Sequence, residues 1–300
     1  MGHGVSVRDD RDSEIAGSKG HAMRALLGVT NSVAVVLGSG FCTLIGMLPL
    51  VLVLVFMQGP EYYPACILAC VLSAPGLAAL FAVFRDHPGL ASSSTAIRFH
   101  VLETLEEEGR RLPDWIARPY VDQSVTSGFF TYYFKAYARL AVRSWMAWLP
   151  LGIIAFALVY DLQIAAAVSW GGLLWPLIVV CLVLLVQTAF VSLVLVVEYP
   201  KAVIRRLLVN ALLLSVRRFY MLLVSILALA GYAWGLLRSP ILVALLGTGL
   251  IWYLIWAAAR WQAQPFFLQM AKESRDPVIE SMYRQGSGSP SFSPLSDYRQ

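Results

Sequence analysis

Along most of this chain, uncharged apolar runs alternate with short polar breaks. Residues 33–57 contain no charge, and the break Gln58-Gly59-Pro60 follows them. Residues 65–84 form a second uncharged run, closed by Arg85-Asp86-His87-Pro88-Gly89. Further runs lie at about 143–160, 173–197, 219–237 and 241–259, separated by 161–172, 198–218 and the turn Arg238-Ser239-Pro240. About 20 such residues cross a bilayer core as a helix, so the pattern predicts six transmembrane helices. The uncharged part of the third run is short, and the span is expected to borrow a turn from the segment before it. The Pro75-Gly76 pair predicts a kink in the second span.

The polar segments have patterns of their own. Ser92-Ser93-Ser94-Thr95 supplies helix caps, Ile97, Val101, Leu102 and Leu105 recur at helical spacing, and Gly109 and Pro113 mark a stop. These positions predict a short amphipathic helix with Glu106-Glu107-Glu108 on its solvated face. Residues 129–144 read as a helix that places Lys135, Arg139 and Arg143 on one face. Residues 201–218 read as a short basic helix. The polar ends, 1–24 and 266–300, are expected to be largely disordered tails around a transmembrane domain at 25–265.

Composition strengthens the membrane reading. The chain is 58% hydrophobic and 14% charged, against about 25% charged in soluble domains. The first apolar run is too long for the h-region of a signal peptide and is expected to remain as a span. The net charge of +5 and the pI near 9.1 would suit nucleic acid in a soluble protein. Here the basic residues sort by topology instead. With six spans, every one of the 23 lysines and arginines except Arg238 falls on the same side. Basic segments remain cytoplasmic, so both termini are predicted inside. Trp145, Trp148, Phe219, Tyr220, Trp256 and Trp261 then mark the inner boundary. Tyr62, Tyr160, Trp170, Trp175, Tyr232 and Trp234 mark the outer one. The expected fold class is an all-α, six-helix membrane bundle with short amphipathic cytoplasmic helices. No nucleic acid is expected as a partner.

Candidate chemistry is sparse. The six uncharged cores hold no ionisable group, which disfavours a proton relay. Gln187, Ser192, Ser225 and Thr248 are polar positions inside the spans. They suit either helix–helix hydrogen bonds, the preferred reading, or the lining of a path for a neutral solute. Gln187 is the candidate intramembrane polar position. Histidines 3, 21, 87 and 100 have no metal-motif spacing, and neither a phosphate loop nor a GxSxG elbow occurs. No catalytic, cofactor or metal site is expected; only Asp86, His87 and His100 around one pocket would revive an enzyme. Cys42, Cys66, Cys70 and Cys181 lie in apolar runs and read as packing residues. Gly231 and Gly235 form a GxxxG, read chiefly as close packing within the chain. Lys135, Arg139, Arg143, Arg205, Arg206, Arg217 and Arg218 form the candidate surface for anionic inner-leaflet lipid or a protein partner. Oligomeric state is open.

Several stretches carry a resemblance. Ser73-Ala74-Pro75-Gly76-Leu77-Ala78-Ala79-Leu80-Phe81-Ala82-Val83-Phe84-Arg85 resembles the second-span ending of the YesL-like family of bacterial integral membrane proteins. Phe134-Lys135-Ala136-Tyr137-Ala138-Arg139 is similar to that family's Phe-Arg-Ala-Phe-type segment. Asn210-Ala211-Leu212-Leu213-Leu214, before Arg217-Arg218, resembles its Asn-Ala-Leu-Leu-Leu element. The likeness covers roughly 25–265. Leu140 stands where the family pattern has asparagine, and the stretch between Glu108-Gly109 and Phe129-Phe130 is longer. The resemblance implies a bacterial cell membrane and a non-enzymatic accessory of carbohydrate ABC transporters, with transporter subunits as partners. It supplies no catalytic residues.

Overall fold

The computed structural model describes residues 30, 33–57, 59–87, 90, 93–110, 112–113, 115–121, 129–168 and 171–284. Among these residues there are helices and turns and no strand. Five helical stretches are long and apolar enough to cross a membrane, and a bent pair makes a sixth if it counts as one span. This is the architecture of a multi-pass membrane protein.

The bent pair is α1 (Val33–Gly46) and α2 (Leu48–Phe56), inclined at 68° to each other. The sequence predicts one span here without a bend being foreseen, and the local chemistry accounts for the bend. Pro49 in the first turn of α2 has no N–H to continue the helical ladder. Gly46, at the bend, lies against the next span. A Cβ on Gly46 would sit 1.9 Å from the Tyr133 hydroxyl and 2.9 Å from Gly76 Cα. Tyr133 donates its hydroxyl to the Gly76 carbonyl at 3.0 Å. Small residues allow such backbone approach between membrane helices.

Helix α3 (Tyr63–Asp86) is the central rod. It starts after a 3₁₀ turn, Pro60–Tyr62, and is buried continuously from Ser73 to Asp86. Pro75 lies inside it without ending the helix. Helix α4 (Ser93–Glu107) is the predicted amphipathic helix. It buries Val101 and Leu105, exposes Glu106-Glu107-Glu108, and stops where Gly109 takes φ +67. Helix α5 (Phe129–Ala167) runs unbroken for 39 residues. That is about 58 Å at about 1.5 Å per residue, nearly twice the hydrocarbon thickness. The basic helix and the third span are therefore a single rod.

Helix α6 (Trp175–Glu198) and the predicted basic helix α7 (Ile204–Arg217) follow. Helix α8 (Tyr220–Arg238) turns at Ser239-Pro240 into a short α9 (Pro240–Leu242) and a π-helical turn, Val243–Gly247. Helix α10 (Thr248–Glu273) continues well past the predicted end of the sixth span. Helix α11 (Pro277–Arg284) folds back against α10 and α4. The expectation of disorder from residue 266 is corrected for 266–284. Phe267, Ala271, Ile279, Met282 and Tyr283 are all buried. The polar residues between them face out, and that alternation hides an amphipathic hairpin. The predicted tails 1–24 and 285–300 lie outside the described residues.

Around α3 pack α5, α2, α6 and α10, with α6 also against α5 and α7. Helix α1 crosses α10 where Gly40 meets Gly249, and a Cβ on Gly249 would lie 1.8 Å from the Val36 carbonyl oxygen. Gly235 rests against Val243, while Gly231 faces open space. The GxxxG therefore packs within the chain through one of its two glycines. All four cysteines are free.

Candidate functional site

The ends of α3 and α6 bring three charged residues together at one end of the bundle. Arg85 and Asp86 close α3, and Glu198 closes α6. Helix α4 adds Arg98 from its buried face. Asp86 and Glu198 are each 1% exposed, and Arg85 and Arg98 are each 3% exposed. Two cations and two carboxylates are thus withdrawn from solvent together. Burial of this kind is tolerable only when the charges are paired and the remaining donors and acceptors are satisfied.

The pairing is extensive. Arg85 donates to both oxygens of its neighbour Asp86 at 2.7 Å, through Nε and Nη2. Its Nη1 donates to the Val197 carbonyl at 3.0 Å and to Glu198 Oε2 at 3.3 Å. Arg98 Nη1 donates to Glu198 Oε1 at 2.8 Å, and its Nε approaches Asp86 Oδ1 at 3.8 Å. Tyr283, on α11, donates its hydroxyl to Glu198 Oε1. Each carboxylate oxygen in the cluster therefore accepts from at least one donor.

The connection 115–121 threads through the same cluster. The Ala117 N–H donates to the Glu198 carbonyl at 2.9 Å, and the Ala117 carbonyl accepts from Arg98 at 3.1 Å. The Arg118 carbonyl accepts from Arg85 at 3.2 Å, and the Tyr120 N–H donates to Asp86 Oδ2 at 2.7 Å. Buried loop backbone needs such partners. The guanidinium groups of Arg85 and Arg139 lie 4.9 Å and 5.3 Å from the Tyr120 ring centre, in cation–π range. The Tyr283 phenol is raised well above its ordinary value by burial and by the Glu198 charge. It stays a neutral donor. The arrangement is an ionic clasp joining α3, α4, α6, α11 and the 115–121 connection.

The residues singled out from sequence scatter around this clasp. Asp86 belongs to it. His87 is partly buried beside it, and His100 is exposed on α4; Asp86 is committed to two arginines rather than to either histidine. Gln187 is 1% exposed, and its amide donates to Gln262 Oε1 at 2.5 Å. Gln262 in turn donates to the Arg218 carbonyl at 2.9 Å. Ser192 bonds the Ala189 carbonyl of its own helix, and Thr248 contacts Tyr232 at 2.7 Å.

The basic set divides in two. Arg143 donates to the Ala202 carbonyl and ties α5 to the α6–α7 turn. Arg218 donates to the Trp261 carbonyl at 2.7 Å. Lys135, Arg139, Arg205, Arg206 and Arg217 are exposed. On α7, Leu207, Ala211 and Leu214 are buried, while Val209, Leu212, Leu213 and Val216 face outward beside the arginines.

Sequence reasoning missed Arg98, Glu198, Tyr120 and Tyr283 as partners. One signal was available: Arg98 sits among the apolar positions of an amphipathic helix. No family model, curated protein or solved structure matches this chain.

Proposed function

We propose that this chain is a non-enzymatic integral membrane protein of the bacterial cell membrane, with both termini cytoplasmic, that assists or regulates carbohydrate uptake by an ABC transporter. The resemblance to the YesL-like family is the source of the transporter class. The observation that carries the non-enzymatic part is the saturation of the clasp's two carboxylates. Asp86 and Glu198, the buried carboxylates, spend every oxygen on protein donors. A general acid or base needs an oxygen facing substrate or water, and these oxygens face arginine, tyrosine and backbone. The clasp sets the positions of the surrounding helices. The working surface is then the outward face of α5 and α7, where Lys135, Arg205, Arg206 and Arg217 stand beside exposed Val209, Leu212 and Leu213. Mixed basic and apolar faces suit anionic lipid or a partner helix.

The alternative is a transporter or channel for a small neutral solute. It needs a polar path to Gln187, and that side chain is closed off by Gln262. The sealing favours the accessory reading. Affinity purification from native membranes in mild detergent, with mass spectrometry, tests it. Stoichiometric recovery of a sugar-transporter permease or its ATPase supports the reading, and Arg205→Glu/Arg206→Glu should then weaken recovery. Repeated recovery of the protein alone overturns it and makes solute flux in proteoliposomes the next measurement.

A further inference from the structure

Beside the clasp, between α10 and α11, lies a cavity of about 110 Å³ lined by Trp256, Arg260, Trp261, Gln264, Met282 and Tyr283. Its far wall is the same Tyr283 whose hydroxyl bonds Glu198. Gln264 fixes the two helices by donating to the Tyr283 carbonyl at 2.5 Å. Arg260 is the charged group of the cavity. Its guanidinium lies 5.5 Å from the Trp256 ring centre.

The charge count around it does not close. The clasp balances Arg85 and Arg98 against Asp86 and Glu198. Arg260 is a third cation at the same end of the bundle; Glu198 attracts it at longer range, which leaves three cations against two carboxylates. Among the described residues no carboxylate forms an ion pair with it and no oxygen accepts a hydrogen bond from it. A guanidinium carries five donors in a planar fork that matches tetrahedral oxyanions bidentately. One wall of the cavity is Trp261, with the Arg218 guanidinium 5.8 Å from its ring centre. Arg260 also ends the uncharged stretch of α10, at the position where apolar helix gives way to polar chain. Tryptophan and arginine together at that level are the chemistry of a headgroup layer.

We infer that this cavity binds a phosphate group, held by Arg260 between the two tryptophans, with Arg218 adding positive charge at the rim. The volume admits a phosphate-sized group, well below the range of about 300–1,000 Å³ of drug-sized pockets. The phosphate comes either from an anionic phospholipid entering from the bilayer or from a soluble phosphate. The site is separate from the outward face of α5 and α7, and it stands whether or not the accessory reading holds.

The test uses the full chain in phosphatidylcholine nanodiscs. Thermal unfolding is compared with no addition, with phosphatidylglycerol in the bilayer, and with inorganic phosphate in the buffer. Retained lipid is read by native mass spectrometry. A rise in unfolding temperature with phosphatidylglycerol, together with a fall of about fivefold or more in retained phosphatidylglycerol for Arg260→Gln, supports a lipid phosphate. A rise with inorganic phosphate that Arg260→Gln abolishes supports a soluble one. Arg275→Gln, exposed beyond the end of α10 and outside the basic face of α5 and α7, controls for general attraction and should leave both readouts near wild type. If Arg260→Gln is not monodisperse, Arg260→Lys replaces it; loss of the fork with the charge kept should still lower retention. No rise with either addition, or a rise and retention unchanged by the Arg260 variant, overturns the proposal.

Discussion

The two ends of the bundle are built on different terms. At the clasp end, α4, α7, α11 and the 115–121 connection cover the helix ends, and α3 and α6 are buried through their last three turns. At the opposite end the links are short 3₁₀ turns, Pro60–Tyr62 and Gly171–Leu173, and the tight turn at Ser239. Phe56, Leu173, Leu237 and Ile241 stand exposed there, each by three-quarters of its surface or more. Apolar side chains facing lipid lose nothing by exposure, so that end needs no cover. Charges drawn out of water must be paired and hydrogen-bonded. The clasp end accordingly recruits residues from five segments, and its extra helices exist to hold them.

The sharpest way to break this contrast is to remove one carboxylate. Glu198→Ala leaves Arg85 and Arg98 underpaired in a dry site and should cost about 3–5 kcal/mol. Thermal unfolding in detergent measures it. Glu61→Ala, exposed at the opposite end, should stay within about 0.5 kcal/mol. Equal effects would show that the clasp is not the stability centre.

Backbone crossings come next. Gly249→Ala puts a Cβ into the Val36 carbonyl and should cost about 1–3 kcal/mol as α1 is pushed from α10. Gly231→Ala meets open space and should be neutral or stabilising by up to about 1 kcal/mol. A smaller loss belongs to Gln187→Leu, which strands its partner Gln262. About 0.6 kcal/mol is expected, the average for membrane hydrogen bonds. Solute permeability of proteoliposomes should not change; an altered flux would reopen the transport reading.

The smallest effect is one of pH. Burial holds His87 below its ordinary value of 6.5. As pH falls through about 6.5 the unfolded chain takes up this proton before the folded one, so stability declines on acidification. The unfolding temperature should fall slightly from pH 7.5 to 5.5, and His87→Asn should fall less. An identical drop in both would assign the effect to other groups.

Much of the helix inventory was legible along the chain, because lipid imposes a period-independent rule: about 20 uncharged residues in a row. The amphipathic helix at α4 was legible from Val101 and Leu105, and its stop from Gly109. The bend after Gly46 was legible only in part: Pro49 interrupts the ladder locally, but the close contacts of Gly46 with Gly76 and Tyr133 lie far along the chain. The clasp was less visible still. Arg85, Asp86 and Glu198 look like ordinary polar stops after apolar runs, and positive charge near a span end has a sufficient use as a topology signal. The C-terminal hairpin was misread as a tail because its buried positions are spaced among polar ones and only packing shows which face is covered.

The sequence by itself determined that this is a multi-span helical membrane protein and where its charged segments lie, because burying a helix in lipid is a local matter of composition. Only the tertiary structure decided which charges stay in water and which are drawn into the clasp. The reason is physical: pairing Arg98 with Glu198 joins positions a hundred residues apart, and no local pattern records an interaction that exists only once α3, α4, α6 and α11 have met.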